Sequence, residues 1–587
     1  MYPIGSVRGF CAPFIFAAGL TLIGPGITHG QGAAAASPCT QDQSALKLPA
    51  GFCATIFADD IGHARHMVVS PDGVVYVNTW SGSYYPNDVP RVGGFLVALQ
   101  DTNGSGRANI NERFGETVQS GGHGGTGIGL YHGYLYAESN DRIVRYALTP
   151  GSRLPGSAPE VIVSGLPLTG DHPMHPFAID VDGHLYVDVA TATNSCQEKN
   201  RTLKSPGIQP CTELKTRGGI WRYDANRLNQ VFAEADRYAT GIRNADGIAV
   251  DASGHGVYST QHGRDQLSTN WPDLYRPEQG PILPSEELLR IRFHGDYGWP
   301  ECYYDGIQRK LVLAPEYGGD GGKIVGVCAQ KIAPVAAFPA HWAPDDLLLY
   351  SGMAFPDHYR GGAFIAFHGS WNRAPFAQGG YNVVFQPLSD GKATGNCEIF
   401  ADGFAGGLLD PAKALHRPTG LALGPDGALY VSDDQRGRIY RIVFRGGPGS
   451  AAVPTTPCPR SDASPGPLMA ENQGTATGAA PVVPQGATQA MVALGDRIYH
   501  GQVGGAPCTG CHGIDGAGTP LGPTLKAHAW LWSDGSYPGI KQTILAGVPA
   551  PKQYRSAMPA MGGAQLSADQ LSAVAAYVWT LSHSSAP

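Results

Sequence analysis

Residues 177–187 read FAIDVDGHLYV: an apolar strand, an Asp-Gly turn and a second strand carrying an aromatic. The unit recurs at 67–77 (MVVSPDGVVYV), 127–137 (GIGLYHGYLYA), 247–260 (GIAVDASGHGVYST) and 420–431 (GLALGPDGALYV), with a fainter copy at 346–367. Asp-Gly between alternating apolar residues marks a hairpin, because the tight turn needs a positive φ. Six hairpins at intervals of tens of residues predict a six-bladed β-propeller. A β-sandwich or β-helix is the alternative that spacing alone leaves open. The intervals are irregular, so long loops separate some blades, and such loops often build sites.

Composition agrees. Of 587 residues, 81 are Gly and 47 Pro, and only 15% are charged, which suits a turn-rich β protein better than a helical bundle. The length calls for two or more domains. Net charge is −7 and no basic block occurs, so nucleic acid is not an expected partner.

The N-terminus reads as an export signal over residues 1–36. Arg8 is the only charge among the first thirty residues, and an apolar run follows from Phe10 to Gly24. An uncleaved membrane anchor is the rival, but the run is short and Gly-rich for a span. We therefore expect a periplasmic or secreted protein with no stable membrane span after signal cleavage. Setting aside Cys11 and the pair at 508 and 511, eight cysteines remain, an even number that suits disulfides in an exported chain. Neighbour pairing gives 39–53, 196–211, 302–328 and 397–458, with free buried thiols as the alternative. Residues 447–487 are rich in Gly, Ala, Pro, Ser and Thr and read as a flexible tether.

Beyond the tether lies Cys508-Thr-Gly-Cys511-His512. Two thiols can add to the haem vinyl groups while the adjacent His supplies an axial nitrogen. A zinc site would need a second ligand pair nearby, and none exists. Residues 490–500 can form a helix leading into the motif. Ser567 and Gln570 can form a capping box for a final helix with an apolar stripe at Leu571, Val574, Val578 and Leu581. The segment 494–583 resembles class I cytochromes c. That resemblance makes Met558 the sixth iron ligand, with Met561 as the alternative, and makes Pro523 the proline whose carbonyl orients the axial His512. We thus expect a mainly β chain: a propeller over 37–446, a linker over 447–487 and a small all-α cytochrome c domain over 488–587.

Residues 50–445 resemble the glucose/sorbosone dehydrogenase family of six-bladed propellers, which hold pyrroloquinoline quinone (PQQ) and calcium at the hub. The likeness is closest to sorbosone- and pyranose-dehydrogenase-like members. It rests on Gly170-Asp171-His172, Gly241-Ile242-Arg243-Asn244, Gln261-His262-Gly263-Arg264-Asp265, Asp296-Tyr297-Gly298-Trp299-Pro300 and His416-Arg417-Pro418. It implies that His172 is the base for a sugar hydroxyl and that Arg243 stabilises charge on the quinone oxygen, with Asn244 beside it. It implies that Arg417 holds a cofactor carboxylate, and it places His123 near the cofactor. The resemblance makes the carbonyls of Gly263 and Arg264 the calcium ligands, and Asp265 next door could contribute a carboxylate instead. The chain departs from the glucose-oxidising members in two ways. Arg264 stands where they have Pro, and no Lys occurs in His368-Gly369-Ser370-Trp371-Asn372-Arg373, so Arg373 or His368 would replace it. Trp371 could stack on quinone or sugar.

The expected function is an exported quinohaemoprotein dehydrogenase. It would oxidise a sugar or a related alcohol or aldehyde with PQQ and feed its own haem c. The haem would then serve an external acceptor such as a cytochrome, a quinone or a respiratory chain. A non-enzymatic propeller that docks a cytochrome to a partner is the rival, and a hydrolytic propeller ranks below it because it would need no haem.

Overall fold

The computed structural model describes residues 44–79, 91–117, 125–446, 456–460, 463–467, 482–527, 529–554 and 556–583. Each hairpin seen in the sequence is the first pair of strands of a sheet with four antiparallel main strands, and six such sheets, three of them with a short fifth strand, make the propeller. In chain order the blades occupy residues 64–114, 128–164, 177–240, 248–338, 344–401 and 418–444. The turn glycines Gly73, Gly183 and Gly427 have φ of 82°, 86° and 79°, the left-handed conformation that the hairpins require.

The aromatic in each second strand has a common purpose. Tyr76, Tyr136, Tyr186, Tyr258, Phe364 and Tyr430 are all buried, and each lies in one of the six apolar clusters between neighbouring blades. A ring leaves no sheet face free, so both faces of the second strand must be apolar, and Val75–Thr79 is buried throughout.

Blade six is closed by the far end of the chain. Phe52–Ala58 pairs antiparallel with Arg438–Phe444 and becomes the outermost strand. No local pattern predicts this pairing, which joins residues nearly 400 apart. A second set of links closes the ring on the inside. Asn78 Nδ2 donates to Gly127 O (3.0 Å), His175 N to Glu138 Oε1 (2.9 Å) and Ala245 N to Asp188 Oδ2 (3.2 Å). Thr260 Oγ1 donates to Pro344 O (2.9 Å), Leu421 N to Asp346 Oδ2 (2.7 Å) and Ser432 Oγ to Arg65 O (2.6 Å). Each link joins one blade to the next, and all six side chains are buried.

Three expected disulfides are present: Cys196–Cys211, Cys302–Cys328 and Cys397–Cys458. Cys53 is disulfide-bonded, while Cys39 lies outside the described residues, as does the expected export signal. The tether expected over 447–487 is in part no tether. Thr456–Pro457 adds a strand to blade five, Cys458 is bonded to Cys397, and Ala377 N donates to Pro467 O at 2.8 Å. Composition signals flexibility, but one cysteine and a short extended run suffice to bind the segment to a sheet edge.

The C-terminal domain is helical, with helices Gln489–Tyr499 and Ala568–His583 packed closely together. Gly495 permits this, since a Cβ there would lie 2.0 Å from Ala573 O. The capping box forms as expected: Ser567 N donates to Gln570 Oε1 (2.8 Å) and Gln570 N to Ser567 Oγ (3.2 Å). Leu571, Val574 and Val578 enter the domain core. Among the described residues no helix is long and apolar enough to cross a membrane.

Replacing Thr260 by Val keeps the shape but strands the buried Gly247 N–H that donates to its hydroxyl, and leaves Pro344 O with only its bond from His262 Nε2. At about 1–3 kcal/mol per stranded buried group, Thr260→Val is expected to lower the urea midpoint of the propeller. The slope should not change.

A candidate active site at the propeller hub and a haem pocket beside it

Antiparallel pairing puts the start of a blade's first strand and the end of its second strand at the same rim. The residues that matter come from these two places. Arg65, Asp246 and Asp345 stand at first-strand starts or just before them, and Gln261–Asp265, His368–Asn372 and Asp434 follow second strands. His172 comes from the loop between blades two and three. Gly170, at φ 101°, lets that loop pass against Ala192, where a Cβ would come within 2.3 Å of the backbone. Together they line a cavity of about 160 Å³ at the hub, with His172, Arg243, Asn244, Gly263, Asp265, Trp371 and Arg417 all in its wall.

Asp265 organises one side. Its Oδ2 meets Arg201 Nη2 and Arg243 Nη2, each at 2.9 Å, and its Oδ1 accepts from Asn372 Nδ2. Burial alone would raise this carboxyl, but Arg243 and Arg201 hold it well below the usual range. Three protein donors thus meet the oxygens of Asp265, the residue expected from sequence to offer calcium a carboxylate. Arg243 also bonds Asn194 O (3.1 Å) and Gly263 O (3.0 Å), so it is held rigidly, and it fixes the carbonyl of Gly263. Arg264 is directed elsewhere: its side chain pairs with the buried Glu316 at 2.5 Å, and the residue does not line the cavity.

His172 is poised as an acceptor. Its Nδ1 lies 2.9 Å from Thr191 O, a bond that only an Nδ1–H can make, so Nε2 carries the lone pair. Burial first, and then the positive charge of Arg243, push the imidazole well below its ordinary pKa. The ring is neutral at pH 7 and available to take a proton.

Opposite lies an acidic group. Arg65 Nη1 meets Asp345 Oδ2 (3.2 Å) and Asp434 Oδ2 (2.9 Å), and Nη2 lies 3.6 Å from Asp246 Oδ2. Asp246, His262 and Asp345 are close enough to share a metal ion. His262 Nε2 sits 3.1 Å from Pro344 O and must donate there, which leaves the two carboxylates as donors. Asp246 Oδ1 is buried with no hydrogen-bond partner among the described residues. Burial raises both carboxyls despite Arg65. A pair of buried carboxylates that Arg65 compensates only in part fits a hard, oxygen-seeking divalent cation such as calcium. For a tricarboxylate such as PQQ the opposing cations also fit. Arg417 is buried with Nε on His368 O (3.0 Å) and Nη2 on Gly369 O (2.7 Å), while Nη1 bonds none of the described residues.

Two expected cofactor residues fall elsewhere. Arg373 does not reach the hub: it bonds the carbonyls of Ala377 (2.9 Å) and Pro465 (3.0 Å) as well as that of Pro281, which pulls it outward. His368 is the member of that segment that lines the cavity, with Nε2 2.8 Å from Asp434 Oδ1. His123 lies outside the described residues. The sequence reading missed Arg65, Arg201, Asp246, Asp345 and Asp434. Acidic pairs at 345–346 and 433–434, at the ends of predicted strands, were the one available signal.

The C-terminal domain encloses a larger cavity of about 350 Å³, lined by Cys508, Cys511, His512 and Met558 among apolar side chains. His512 Nδ1 lies 2.9 Å from Pro523 O, the expected orientation, which presents Nε2 for a metal. Val548 and Met558 exchange backbone bonds of 2.7 and 3.0 Å, which seats Met558 at the cavity, whereas Met561 is not in its lining. Burial pushes the Cys508 and Cys511 thiols up to about 12 and about 11, the reverse of a redox-active dithiol. The apolar lining, the paired thiols and the aimed imidazole fit a covalently held haem.

The two cavities adjoin. Arg201, Trp371, Asn372, Leu521 and Ser556 line both, and the charges of Arg201 and Asp265 act on the Cys511 thiol.

Residues 46–444 match the sequence model of the TrAA12-like family, and residues 492–582 match that of the Cytochrome c family. A pyrroloquinoline quinone-dependent sugar dehydrogenase of Hypocrea jecorina is 23% identical over 213 residues, 34% of this chain and 46% of that protein. A pyrroloquinoline quinone-dependent pyranose dehydrogenase of Coprinopsis cinerea is 26% identical over 251 residues, 35% of this chain and 31% of that protein. The chain thus spans under half the length of these curated relatives. Among solved structures, a Trichoderma reesei Carbohydrate-Active Enzymes Family AA12 structure superposes with TM-score 0.54 at 18% identity, over 70% of this chain and 100% of that one. The holo PQQ domain of the Coprinopsis cinerea pyranose dehydrogenase gives 0.52 at 19%, over 69% and 98%. At these identities the superpositions establish the propeller fold.

Removing the negative charge of Asp265 takes the paired carboxylate from the buried Arg243 guanidinium, while Arg201 keeps Asp171. Asp265→Asn is expected to cost about 3–5 kcal/mol in chemical denaturation. Because the folded carboxyl is held low, the wild-type advantage is present above the ordinary aspartate pKa of about 4 and is lost as pH falls below it. A titration of stability against pH in both proteins checks this.

Proposed function

As the chain belongs to the TrAA12-like family over residues 46–444 and carries a cytochrome c domain after it, we propose that it is a quinohaemoprotein sugar dehydrogenase. One observation carries the reading: the same five residues line the hub cavity and the haem cavity. An electron leaving the hub therefore has its next carrier across a single layer of side chains. A propeller that only bound a partner would need neither a neutral base nor a cation-lined hub next to a haem.

PQQ, when bound, supplies the two-electron acceptor for the hydride of a hydroxyl-bearing carbon, and haem c the one-electron relay beyond it. The residues do the rest. His172 Nε2 accepts the hydroxyl proton, and its Nδ1–H on Thr191 O keeps the ring in the tautomer that can do so. Arg417 would hold a cofactor carboxylate through the Nη1 it does not spend on backbone, and Arg243, locked by Asp265 and Asn194, would present positive charge to the quinone edge. Asp246 and Asp345 would hold calcium. Cys508 and Cys511 would bind the porphyrin, and His512 and Met558 would ligate its iron. The aldose-, sorbosone- or alcohol-type substrate is oxidised outside the cytoplasm, in the periplasm or after secretion, and an external acceptor re-oxidises the haem.

In protein reconstituted with PQQ and calcium, added sugars are expected to reduce the haem, seen as growth of the ferrous band. No reduction with any sugar sinks the proposal. His172→Ala is expected to slow turnover by at least about 100-fold while PQQ binding persists. Because the imidazole pKa is lowered, the acid limb of the wild-type rate should lie below pH 6.5. Asp246→Asn is expected to weaken calcium binding to the quinone-free protein at least tenfold, read by calorimetry.

A further inference from the structure

We infer that the cytochrome domain is also one wall of the substrate chamber, and that Leu521 limits the chamber to a single sugar ring. The substrate part rests on the dehydrogenase reading above.

The hub cavity is not bounded by the propeller alone. Pro520, Leu521 and Ser556, all from the C-terminal domain, stand in its wall together with His172. The docking that brings them there is tight. A Cβ on Gly510, inside the Cys-x-x-Cys segment, would lie 2.6 Å from Trp371 O, so only glycine allows the approach. A Cβ on Gly501 would come within 1.9 Å of Pro375. Lys413 Nζ and Asp515 Oδ2 pair across the same contact at 3.2 Å.

Leu521 is held as firmly as the docking itself. It sits in a turn in which Thr519 N donates to Gly522 O (2.9 Å) and Leu521 N to Thr519 Oγ1 (3.0 Å). Thr519 Oγ1 in turn donates to Cys511 O at 2.6 Å, which ties the turn to the haem-attachment helix. Leu521, with Pro520, Met174, Ala343 and Trp371, thus gives the cavity apolar wall beside its arginines, aspartates and histidines. Such a wall suits the C–H face of a sugar whose hydroxyls meet the polar side. It also stops a second ring from extending through the roof, so the fitting class is a monosaccharide or small polyol rather than a chain end.

The test uses the full-length holoprotein with Leu521→Ala and Leu521→Phe. Haem spectra are recorded for both, and rates are read with a soluble dye that takes electrons from the hub, so that altered haem contacts do not enter. Leu521→Ala is expected to raise kcat/KM for a disaccharide relative to its monosaccharide about tenfold, through KM, and Leu521→Phe to lower it. A second readout needs no turnover. PQQ uptake by the quinone-free protein, followed by tryptophan fluorescence, is expected to be at least threefold faster in Leu521→Ala. Wild-type turnover with unchanged sugar ratios and unchanged uptake in both variants overturns the inference. Absence of turnover in wild type, with uptake still faster in Leu521→Ala, overturns the dehydrogenase reading and the sugar assignment with it.

Discussion

Six buried side chains, each bonded to the backbone of a neighbouring blade, hold the hub of this protein in register. A propeller is a stack of sheets bent into a ring, and apolar contact between blades does not by itself determine how far one blade slides along the next. Asn78, Glu138, Asp188, Thr260, Asp346 and Ser432 do so, because a buried hydrogen bond lost by a slide is not regained from water. The outer strand exchange at Phe52–Ala58 closes the circumference, and the inner ring sets the rim.

The chemistry of the site depends on that rim being fixed. Arg243 and Arg201 share one carboxylate, Asp265, and Arg65 sits among three. Buried ions tolerate little misplacement, since each must recover in the protein what it lost in water. With those charges held, the neighbouring groups acquire their properties. His172 stays neutral because it is buried beside Arg243, and among the described residues Asp246 Oδ1 has no hydrogen-bond partner while Arg65 is spread over three acids. A base without its proton and a pair of under-compensated carboxylates are the two things a hydroxyl oxidation with a divalent cation asks of a protein.

The placement of the cytochrome follows from small residues. Gly510 and Gly501 let the haem-attachment segment lie against residues 371–375, and the turn at 519–522 then reaches into the hub. One contact therefore does two jobs: it brings the two cavities together, and it roofs the smaller one.

Much of this was legible beforehand, and the reason is locality. A hairpin turn, a Cys-x-x-Cys-His run and a capping box each span a dozen residues or fewer, so their patterns survive in one dimension. They determined the propeller, the haem motif and the closing helix. His172, Arg243, Asn244 and Arg417 reach the hub because each belongs to a short motif tied to a strand end. What the chain alone did not disclose was which partner a long charged side chain would choose. Asp265 went to two arginines and an asparagine, Arg373 to backbone carbonyls, and Cys458 pinned a segment whose composition reads as loose. Those choices pit one distant partner against another, and only the closed ring, which brings residues hundreds of positions apart within 3 Å, decides between them.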